Sequence, residues 1–276
     1  NMEDKMRQNL RKTVKIDGEK VTPAMKVKNV HFSYGKNKIL NGVSFQIEEG
    51  KVTTIMGANG CGKSTLFSLM TKNLYPAKGN IFLKGKNILN LNLKEFARKV
   101  AIVQQYNTAS DDITVESLIS FGRTPYKKMM QANSREDEEK IQWAMEVTGL
   151  TEYRNREVSR LSGGQRQRVW IAMALAQGTN TLFLDEPTTY LDIRYQIEIL
   201  KLVKKLNQEY GITIVMVVHD INQASTYSDR IIGLKDGQVL VEGAPEDVIT
   251  EESIRELYGI NLGVTSIDGR KFVLAV

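Results

Sequence analysis

The chain reads Gly57-Ala58-Asn59-Gly60-Cys61-Gly62-Lys63-Ser64-Thr65, which fits the phosphate-loop pattern G-x-x-x-x-G-K-[ST] at every position. Glycines let the backbone curl until several N–H groups point inward and form a nest for anionic oxygens. Lys63 is expected to reach the β- and γ-phosphates as a point charge, and the Ser64 hydroxyl is expected to ligate Mg²⁺. The stretch therefore predicts a site for a nucleoside triphosphate and Mg²⁺, without indicating how the energy is used.

The residues on either side of this loop support the prediction. Val52-Thr53-Thr54-Ile55-Met56 is typical of a buried strand that leads into the loop. A helix is expected to begin at Gly62 or Lys63, so that its positive dipole end faces the phosphates. Its predicted apolar face consists of Leu66, Phe67, Leu69 and Met70. The alternative is a chance glycine-rich turn, which the strand before and the helix after it disfavour.

Length and composition limit the size and kind of fold that the chain can form. Its 276 residues, 41% of them hydrophobic, suffice for one large α/β domain or for a domain with an inserted lobe. No apolar run approaches the ~18 residues that a membrane helix needs. Cys61 is the only cysteine, so no intrachain disulfide can form, which fits a reducing cytosol. The formal net charge of +6 comes from basic residues dispersed among acids, which favours a mixed solvated surface over a nucleic-acid site.

Hydrophobic patterning then divides the chain. Residues 1–24 are predicted to be a flexible leader. Strands are predicted at Lys26–Tyr34 and at Val43–Ile47, with a turn at 35–38 between them, and Ile81–Gly85 suggests an edge hairpin. These segments indicate that the N-terminal part mixes antiparallel strands with one buried strand.

The rest of the chain alternates helical and apolar strand segments. Residues 111–160 lack strand-like runs and indicate a helical lobe inserted into the α/β core. Thr181–Asp185 and Ile212–Val218 are nearly continuous apolar runs, as expected of parallel strands that are covered on both faces. The helix between them is predicted to bury one face, made of Ile197, Ile199, Leu200, Leu202, Val203 and Leu206.

A second helix start is predicted at Leu161-Ser162-Gly163-Gly164-Gln165. Ser162 as N-cap and Gln165 at the third helical position form a capping box, and the two glycines leave backbone N–H groups uncovered. This segment is either simply the beginning of the next helix or a second anion site. If two subunits paired head to tail, each could cover the nucleotide of the other, and this would explain two such helix starts in one chain.

Other polar residues follow apolar strands. Asp185 and Glu186 end one strand, where ligands bind in doubly wound sheets; Asp185 is expected to bind Mg²⁺, and Glu186 to orient and polarise the attacking water. His219 ends another strand and is predicted to contact the γ-phosphate. Gln104 and Gln105 follow Val100–Val103, and one of them is expected to reach the metal or the water.

Together the segments Gly57–Thr65, Leu161–Gln165, Leu182–Pro187 and His219 resemble the nucleotide-binding subunits of ABC transporters, over about Lys26 to Gly259. The resemblance implies a P-loop NTPase (RecA-like) core with an N-terminal antiparallel β subdomain and an inserted α-helical subdomain. It also implies that Tyr34 stacks on adenine, that Gln105 serves the metal and the joint to the helical lobe, and that His219 acts as a switch. The implied single domain covers 25–276, with its core at 25–108 and 161–250, its helical subdomain at 109–160 and a tail at 251–276.

A finer resemblance rests on a few further residues. Importers of iron-siderophore complexes, haem and vitamin B12 are similar at Pro187–Ile193, Ile113–Val115 and Phe121–Pro125. The family implies a homodimer formed on ATP binding, integral membrane permease subunits, an extracytoplasmic substrate-binding protein and a place at the cytoplasmic face of the membrane. No nucleic-acid partner is expected.

Two other readings of the same motifs stay open. One is a soluble ABC-type ATPase that acts on nucleic acid or ribosomes, although such machines usually carry two cassettes or a long coiled-coil insertion. The other is a nucleotide-regulated binding module without turnover, which Glu186 and His219 argue against.

Overall fold

The structure is a computed structural model that describes residues 23–128 and 132–274. The predicted leader therefore lies outside the described residues, except for its last two positions. The described strands are β1 (Met25–Tyr34), β2 (Asn37–Ile47), β3 (Val52–Met56), β4 (Lys78–Leu83), β5 (Lys86–Asn87), β6 (Val100–Val103), β7 (Thr181–Asp185), β8 (Thr213–Val217), β9 (Arg230–Lys235), β10 (Gln238–Gly243), β11 (Gly263–Ile267) and β12 (Arg270–Leu274).

The described α-helices are α1 (Lys63–Met70), α2 (Leu93–Ala97), α3 (Val115–Ser120), α4 (Arg135–Thr148), α5 (Gly163–Ala176), α6 (Ile193–Tyr210), α7 (Ile221–Tyr227), α8 (Pro245–Val248) and α9 (Glu251–Tyr258). Short 3-10 turns lie at Ile88–Asn90, Phe121–Tyr126, Thr151–Tyr153 and Val158–Arg160. The chain divides into two compact units, one made of the residues up to Leu91 and from Lys204 onward, the other of Asn92–Val203.

The first unit contains an antiparallel sheet and a mixed sheet region. The antiparallel sheet has the order β2-β1-β4-β5, in agreement with the predicted β subdomain. β4 is an inner strand there, since it pairs with both β1 and β5, so the predicted edge hairpin has only β5 at the edge. The turn between β1 and β2 spans Gly35 and Lys36 alone, because β2 already pairs from Asn37.

β3 lies between two parallel neighbours in the mixed region of this unit. It pairs with β8 on one side and β9 on the other, and β10 adds antiparallel to β9. All residues of β3 and β8 are buried, as their unbroken apolar patterns predict. A two-stranded hairpin of β11 and β12 follows α9, and its turn is Asp268-Gly269, a dipeptide typical of two-residue hairpin turns.

The second unit holds the parallel pair β6–β7 and helices α2 to α5. Its described residues between Asp111 and Arg160 form helices, 3-10 turns and loops, as predicted, and an isolated antiparallel bridge joins Thr114 and Glu157. The boundaries of the unit, Asn92 and Val203, are wider than the predicted helical subdomain at 109–160. The difference arises because β6 and β7 pack within the same unit as the helices.

A buried ion pair joins three helical elements of this unit. Arg123, only 2% exposed, donates from Nε to Asp137 Oδ1 of α4 over 2.7 Å. It also donates to the carbonyl oxygens of Ala176 and Gln177 at the end of α5, over 3.0 and 3.3 Å. The guanidinium carbon lies 4.1 Å from the ring centroid of Tyr126. Arg123 thus connects its own 3-10 turn, the start of α4 and the end of α5.

One residue of the predicted core face of α6 is misplaced. Ile197 is 38% exposed, whereas Ile199, Val203 and Leu206 are buried. A helix turns by roughly 100° per residue, so Ile197 lies about half a turn around the helix from Leu206. The prediction for Ile197 is therefore wrong, and the true buried face of this helix is narrower.

Candidate nucleotide site

The phosphate loop in the first unit connects the buried strand β3 to helix α1. α1 begins at Lys63, within the predicted range for the helix start. Gly57, Gly60 and Gly62 have positive φ angles of 148°, 79° and 106°, a region that glycine enters at little cost. The loop thus has the curled backbone that the motif predicts.

Two of these glycines are also needed for space. A Cβ atom on Gly57 would lie 2.3 Å from the carbonyl oxygen of Leu234 in β9. A Cβ atom on Gly62 would lie 2.7 Å from Leu40 Cδ2 in β2. The loop is therefore packed tightly on its protein side by strands from both sheets of this unit. At Gly60 a Cβ would meet nothing within 4 Å, so that position faces open space.

Lys63 is buried at the base of this loop, with 5% of its surface exposed. Its ammonium donates hydrogen bonds to the carbonyl oxygens of Gly57 (2.8 Å) and Ala58 (2.9 Å). The cation is thereby held inside the curl of the loop, where its charge suits phosphate oxygens. Ser64 follows on the first turn of α1 and is exposed. Its hydroxyl is an oxygen donor of the kind that Mg²⁺ prefers. Asp185 ends β7 in the second unit, and its carboxylate is a donor of the same kind.

Cys61 lies in the same loop but is buried, with 6% exposed. Burial raises the pKa of the Cys61 thiol, against the lowering effect of Lys63 nearby. A raised pKa keeps the group as the less reactive thiol. This favours the interpretation of Cys61 as a small loop residue over a redox switch.

Two predicted ligand contacts lie elsewhere in the first unit. Tyr34 ends β1 and is 54% exposed, and its ring packs edge-on against Phe32 at 4.9 Å between centroids. Such an exposed ring face suits stacking on a purine. His219 follows β8, is exposed and immediately precedes Asp220, the N-cap of α7.

In the second unit, Glu186 and Gln105 are directly hydrogen-bonded. Gln105 Nε2 donates to Glu186 Oε2 over 2.5 Å. β6 and β7 run parallel, with Val103 beside Leu184, so the two residues leave the sheet at the same edge. Thr189 Oγ1 donates to the same carboxylate oxygen over 3.0 Å. Gln104, the other member of the glutamine pair, is exposed and uses its carbonyl to accept from Asn107.

The backbone at Glu186 is strained. Its φ angle is 48°, in the left-handed region, and Tyr190 shares this region with a φ of 63°. Non-glycine residues there are uncommon and concentrate at functional sites. The Thr189 amide donates to the Glu186 carbonyl over 3.2 Å, so the strained turn is closed by both the backbone and the side chain of Thr189.

Thr189 and the pair of Tyr106 and Tyr190 were not predicted from the sequence as parts of this site. The hydroxyls of these two tyrosines are 3.0 Å apart. Both rings are well exposed, Tyr106 by 68% and Tyr190 by 81%. Thr189 could have been found from its position three residues after Glu186, because a threonine hydroxyl often hydrogen-bonds to a residue three or four positions earlier in the chain. No local signal pairs tyrosines that are 84 residues apart.

The helix start at Ser162 has the predicted capping box. Gln165 N–H donates to Ser162 Oγ over 3.2 Å, and Ser162 N–H donates to Gln165 Oε1 over 2.9 Å. Gly163 is exposed, and Gly164 is buried against the Tyr195 ring, where a Cβ would lie 2.2 Å from Cδ1. The absence of side chains therefore serves close packing at Gly164 and access to the backbone at Gly163.

Comparison with known proteins identifies the family. The ABC transporter profile matches residues 40–189. The petrobactin import ATP-binding protein FpuC of Bacillus anthracis is 44% identical over 238 residues, which cover 86% of this chain and 88% of the relative. The ferric enterobactin transport ATP-binding protein FepC of Escherichia coli (strain K12) is 43% identical over 227 residues, covering 82% and 84%.

Solved structures of transporter cassettes have the same fold. An ATP-binding cassette of an ABC transporter in its ADP conformation has a TM-score of 0.78 at 27% identity, covering 86% of this chain and 98% of that chain. A dimeric bacterial ABC transporter cassette has a TM-score of 0.69 at 32% identity, covering 80% and 98%. Among the helices of residues 23–128 and 132–274, none combines the length and apolar character required to cross a bilayer. The phosphate loop, the Ser162 helix start and these likenesses lead to one conclusion: the chain belongs to the ABC transporter family, as an ATP-binding, ATP-hydrolysing subunit.

Proposed function

We propose that this subunit powers an importer of iron-siderophore, haem or cobalamin-type substrates. Its family membership establishes the ATPase cassette, and the substrate class is supported by relatives that serve petrobactin and ferric enterobactin transport. The assignment of ATP hydrolysis depends on one observation: the Glu186 carboxylate lies at the end of a buried strand and accepts hydrogen bonds from Gln105 and Thr189.

Nucleotide binding is assigned to the phosphate loop and to Tyr34. The backbone N–H groups of Gly57–Thr65 and the Lys63 ammonium bind phosphate oxygens, and Tyr34 stacks on the adenine. Ser64, Asp185 and Gln105 would hold Mg²⁺, which when bound neutralises charge that develops on the phosphate oxygens. The buried position of Lys63 supports this role, because a charge acts more strongly where water is excluded.

Hydrolysis is assigned to Glu186, with His219 and Gln105 as its assistants. Glu186 accepts a hydrogen bond from the attacking water and orients it toward the γ-phosphate, to which His219 donates. Phosphoryl transfer requires mainly such positioning and charge stabilisation. The two donors on Glu186 Oε2 support the assignment, since they fix the direction of the carboxylate.

We assign Ser162–Gln165 to the nucleotide of a second copy of this chain. The uncovered N–H groups at Gly163 suit an anion, and the dimeric cassette supports pairing of this kind. The dimer would work on permease subunits at the cytoplasmic face of the membrane, to which an extracytoplasmic binding protein delivers the substrate. ATP-driven closing and hydrolysis-driven opening of the dimer would drive the permease.

Glu186→Gln tests the assignment. The variant should still bind ATP but hydrolyse it at least about 100-fold more slowly, because the amide cannot polarise water as a carboxylate does. Size exclusion with light scattering should then show a monomer without ATP and a dimer with ATP. Glu152→Gln, on the exposed surface of the same unit, should behave as wild type.

Three results would contradict the proposal. Normal hydrolysis by Glu186→Gln would remove Glu186 from its role. A monomer that demonstrably holds ATP would contradict pairing through Ser162–Gln165. Stimulation of the ATPase by RNA or DNA, without co-purification of a polytopic membrane protein, would favour the nucleic-acid alternative.

A further inference from the structure

The C-terminal hairpin of β11 and β12 is hydrogen-bonded to helix α7 through side chains of that helix. Asn222 Nδ2 donates to the Val273 carbonyl over 3.1 Å, and the Val273 N–H donates to Asn222 Oδ1 over 2.8 Å. Ser225 Oγ donates to the Lys271 carbonyl over 2.5 Å. The Asn222 amide therefore pairs with β12 as the backbone of a neighbouring strand would.

Helix α7 is directly connected to His219. Asp220 is the N-cap of the helix, and its Oδ1 accepts from the Gln223 N–H over 2.9 Å. The Asp220 carbonyl accepts from the Ala224 N–H over 3.1 Å. His219 is thus the residue immediately before a capped helix start, and the position of α7 determines where its backbone leaves β8.

The far end of α7 is anchored on the strand that leads into the phosphate loop. Ser228 Oγ and Thr54 Oγ1 in β3 are 2.5 Å apart, and Ala224 in the middle of the helix is fully buried. The helix therefore lies between two supports within the first unit, β3 on one side and the C-terminal hairpin on the other. The hairpin bonds the helix at Asn222, in the turn nearest His219.

We infer that Asn222 is a positioning residue for His219, and that the C-terminal hairpin acts on ATP hydrolysis through it. The inference rests on the proposed function, in which His219 contacts the γ-phosphate. The two hydrogen bonds between Asn222 and Val273 fix the rotation of α7 about its axis and its position along the strand β12. Without them the first turn of α7 loses its bonds to the hairpin at Asn222, so His219 samples more positions.

The expected effect is on turnover rather than on nucleotide affinity. Misplacement of a reacting group by about 1 Å can reduce a rate about 100-fold, and a partly freed helix end should reduce kcat about 10-fold. KM for ATP should change less than about 2-fold, because Lys63 and the phosphate loop provide the binding.

Asn207→Ala is a matched control in the same unit. Asn207 also makes two hydrogen bonds to the backbone, to the carbonyls of Gly50 (2.8 Å) and Ile212 (2.9 Å). Asn207→Ala should lower the melting temperature as much as Asn222→Ala does, but its kcat should stay at the wild-type value. Ser225→Ala removes a single bond to the hairpin and provides a milder variant should Asn222→Ala fold poorly.

A spectroscopic measurement on the full chain separates positioning from general stability. The chain has only two histidines, His31 and His219, so the imidazole Cε1–Hε1 NMR spectrum should contain two signals that His219→Ala assigns. Asn222→Ala and Ser225→Ala should shift or broaden the His219 signal and leave His31 unchanged, whereas Asn207→Ala should leave both unchanged. An unaltered His219 signal in Asn222→Ala would overturn the inference.

A double-mutant comparison tells the inference and the proposed function apart. In a His219→Ala background, Asn222→Ala should cause no further loss of kcat, because its effect acts through His219. Normal hydrolysis by His219→Ala would refute the proposed role of His219 itself. A normal rate in Asn222→Ala, with a reduced but measurable rate in His219→Ala, would overturn only the positioning role of Asn222.

Discussion

Asp137→Asn breaks the ion pair that connects three helical elements of the second unit. The variant leaves the Arg123 guanidinium buried, with carbonyl oxygens and the Tyr126 ring as its neighbours. Removal of one partner from a buried pair typically costs about 3–5 kcal/mol, since the remaining charge loses its compensation. Glu136 Oε1 lies 3.6 Å from Arg123 Nη2 but its side chain is 73% exposed, so it compensates only a part of the buried charge. We expect the free energy of unfolding to fall by about 3 kcal/mol.

The loss should depend on pH in a defined direction. Burial by itself would raise the pKa of Asp137, but hydrogen bonds from Arg123 and Ser134 lower it more, so it lies below its usual value of 3.8. A carboxyl with a depressed pKa contributes stability above its unfolded pKa and loses it as the pH falls through the folded one. The difference in the free energy of unfolding between wild type and Asp137→Asn should reach its full value well above pH 3.8. It should disappear as the solution becomes more acidic.

Tryptophan fluorescence during urea unfolding measures this difference. Both tryptophans, Trp143 in α4 and Trp170 in α5, belong to the second unit, so the signal reports the part of the chain that holds the ion pair. Glu139→Gln is the control on the same helix. It removes an ion pair at the surface, in which the Glu139 side chain is 41% exposed and the Arg135 side chain 92% exposed. The free energy of unfolding should change by less than about 0.5 kcal/mol.

Two outcomes would refute the reasoning about Arg123. One is a loss below about 1 kcal/mol at neutral pH, which would mean that solvent or Glu136 compensates the buried cation. The other is a difference that persists unchanged in acid, which would mean that the ionised form of Asp137 is not what stabilises the fold.

Two further substitutions address the phosphate loop. Lys63→Ala should weaken ATP binding by at least about 10-fold, because a charge-assisted bond to phosphate is lost. Unchanged affinity in a fluorescent-nucleotide titration would contradict the role of Lys63 in binding phosphate. Gly57→Ala should destabilise the chain by more than about 2 kcal/mol, since its Cβ would lie 2.3 Å from the Leu234 carbonyl oxygen. Gly50→Ala is its control: it also has a positive φ but open space around it, so thermal melting should show only about 1 kcal/mol of backbone strain. Equal losses at the two positions would exclude the steric explanation.

Local features of the site could be predicted from the sequence. The strand before Gly57, the helix start at Lys63 and the Ser162–Gln165 capping box all follow from residues close together in the chain. Their geometry depends on backbone conformation and on bonds three residues apart, which the residue types specify directly. The strands Thr181–Asp185 and Ile212–Val218 were predicted for the same reason, because covered parallel strands have unbroken apolar sequences, and the second is observed at Thr213–Val217.

Contacts between distant residues could not be predicted in this way. Gln105 and Glu186 are 81 positions apart, and sequence spacing predicted only that the glutamine would reach the metal or the water. Arg123 lies in the segment Phe121–Pro125, which carries part of the family resemblance, but nothing in that segment shows that Asp137 pairs with its charge. Asn222 is unremarkable in sequence, since its two bonds to Val273 exist only once the hairpin is in place.

The left-handed backbone at Glu186 limits how this loop could be redesigned. That conformation costs a residue with a Cβ about 1–2 kcal/mol, which the bonds to Gln105 and Thr189 help to offset. Glycine would relax the backbone but remove the carboxylate, so a stability screen would select the substitution that an activity screen rejects. The residue is therefore a point where selection for thermostability and selection for turnover conflict. A designer who transplants this turn to another scaffold must move Gln105 and Thr189 together with Glu186.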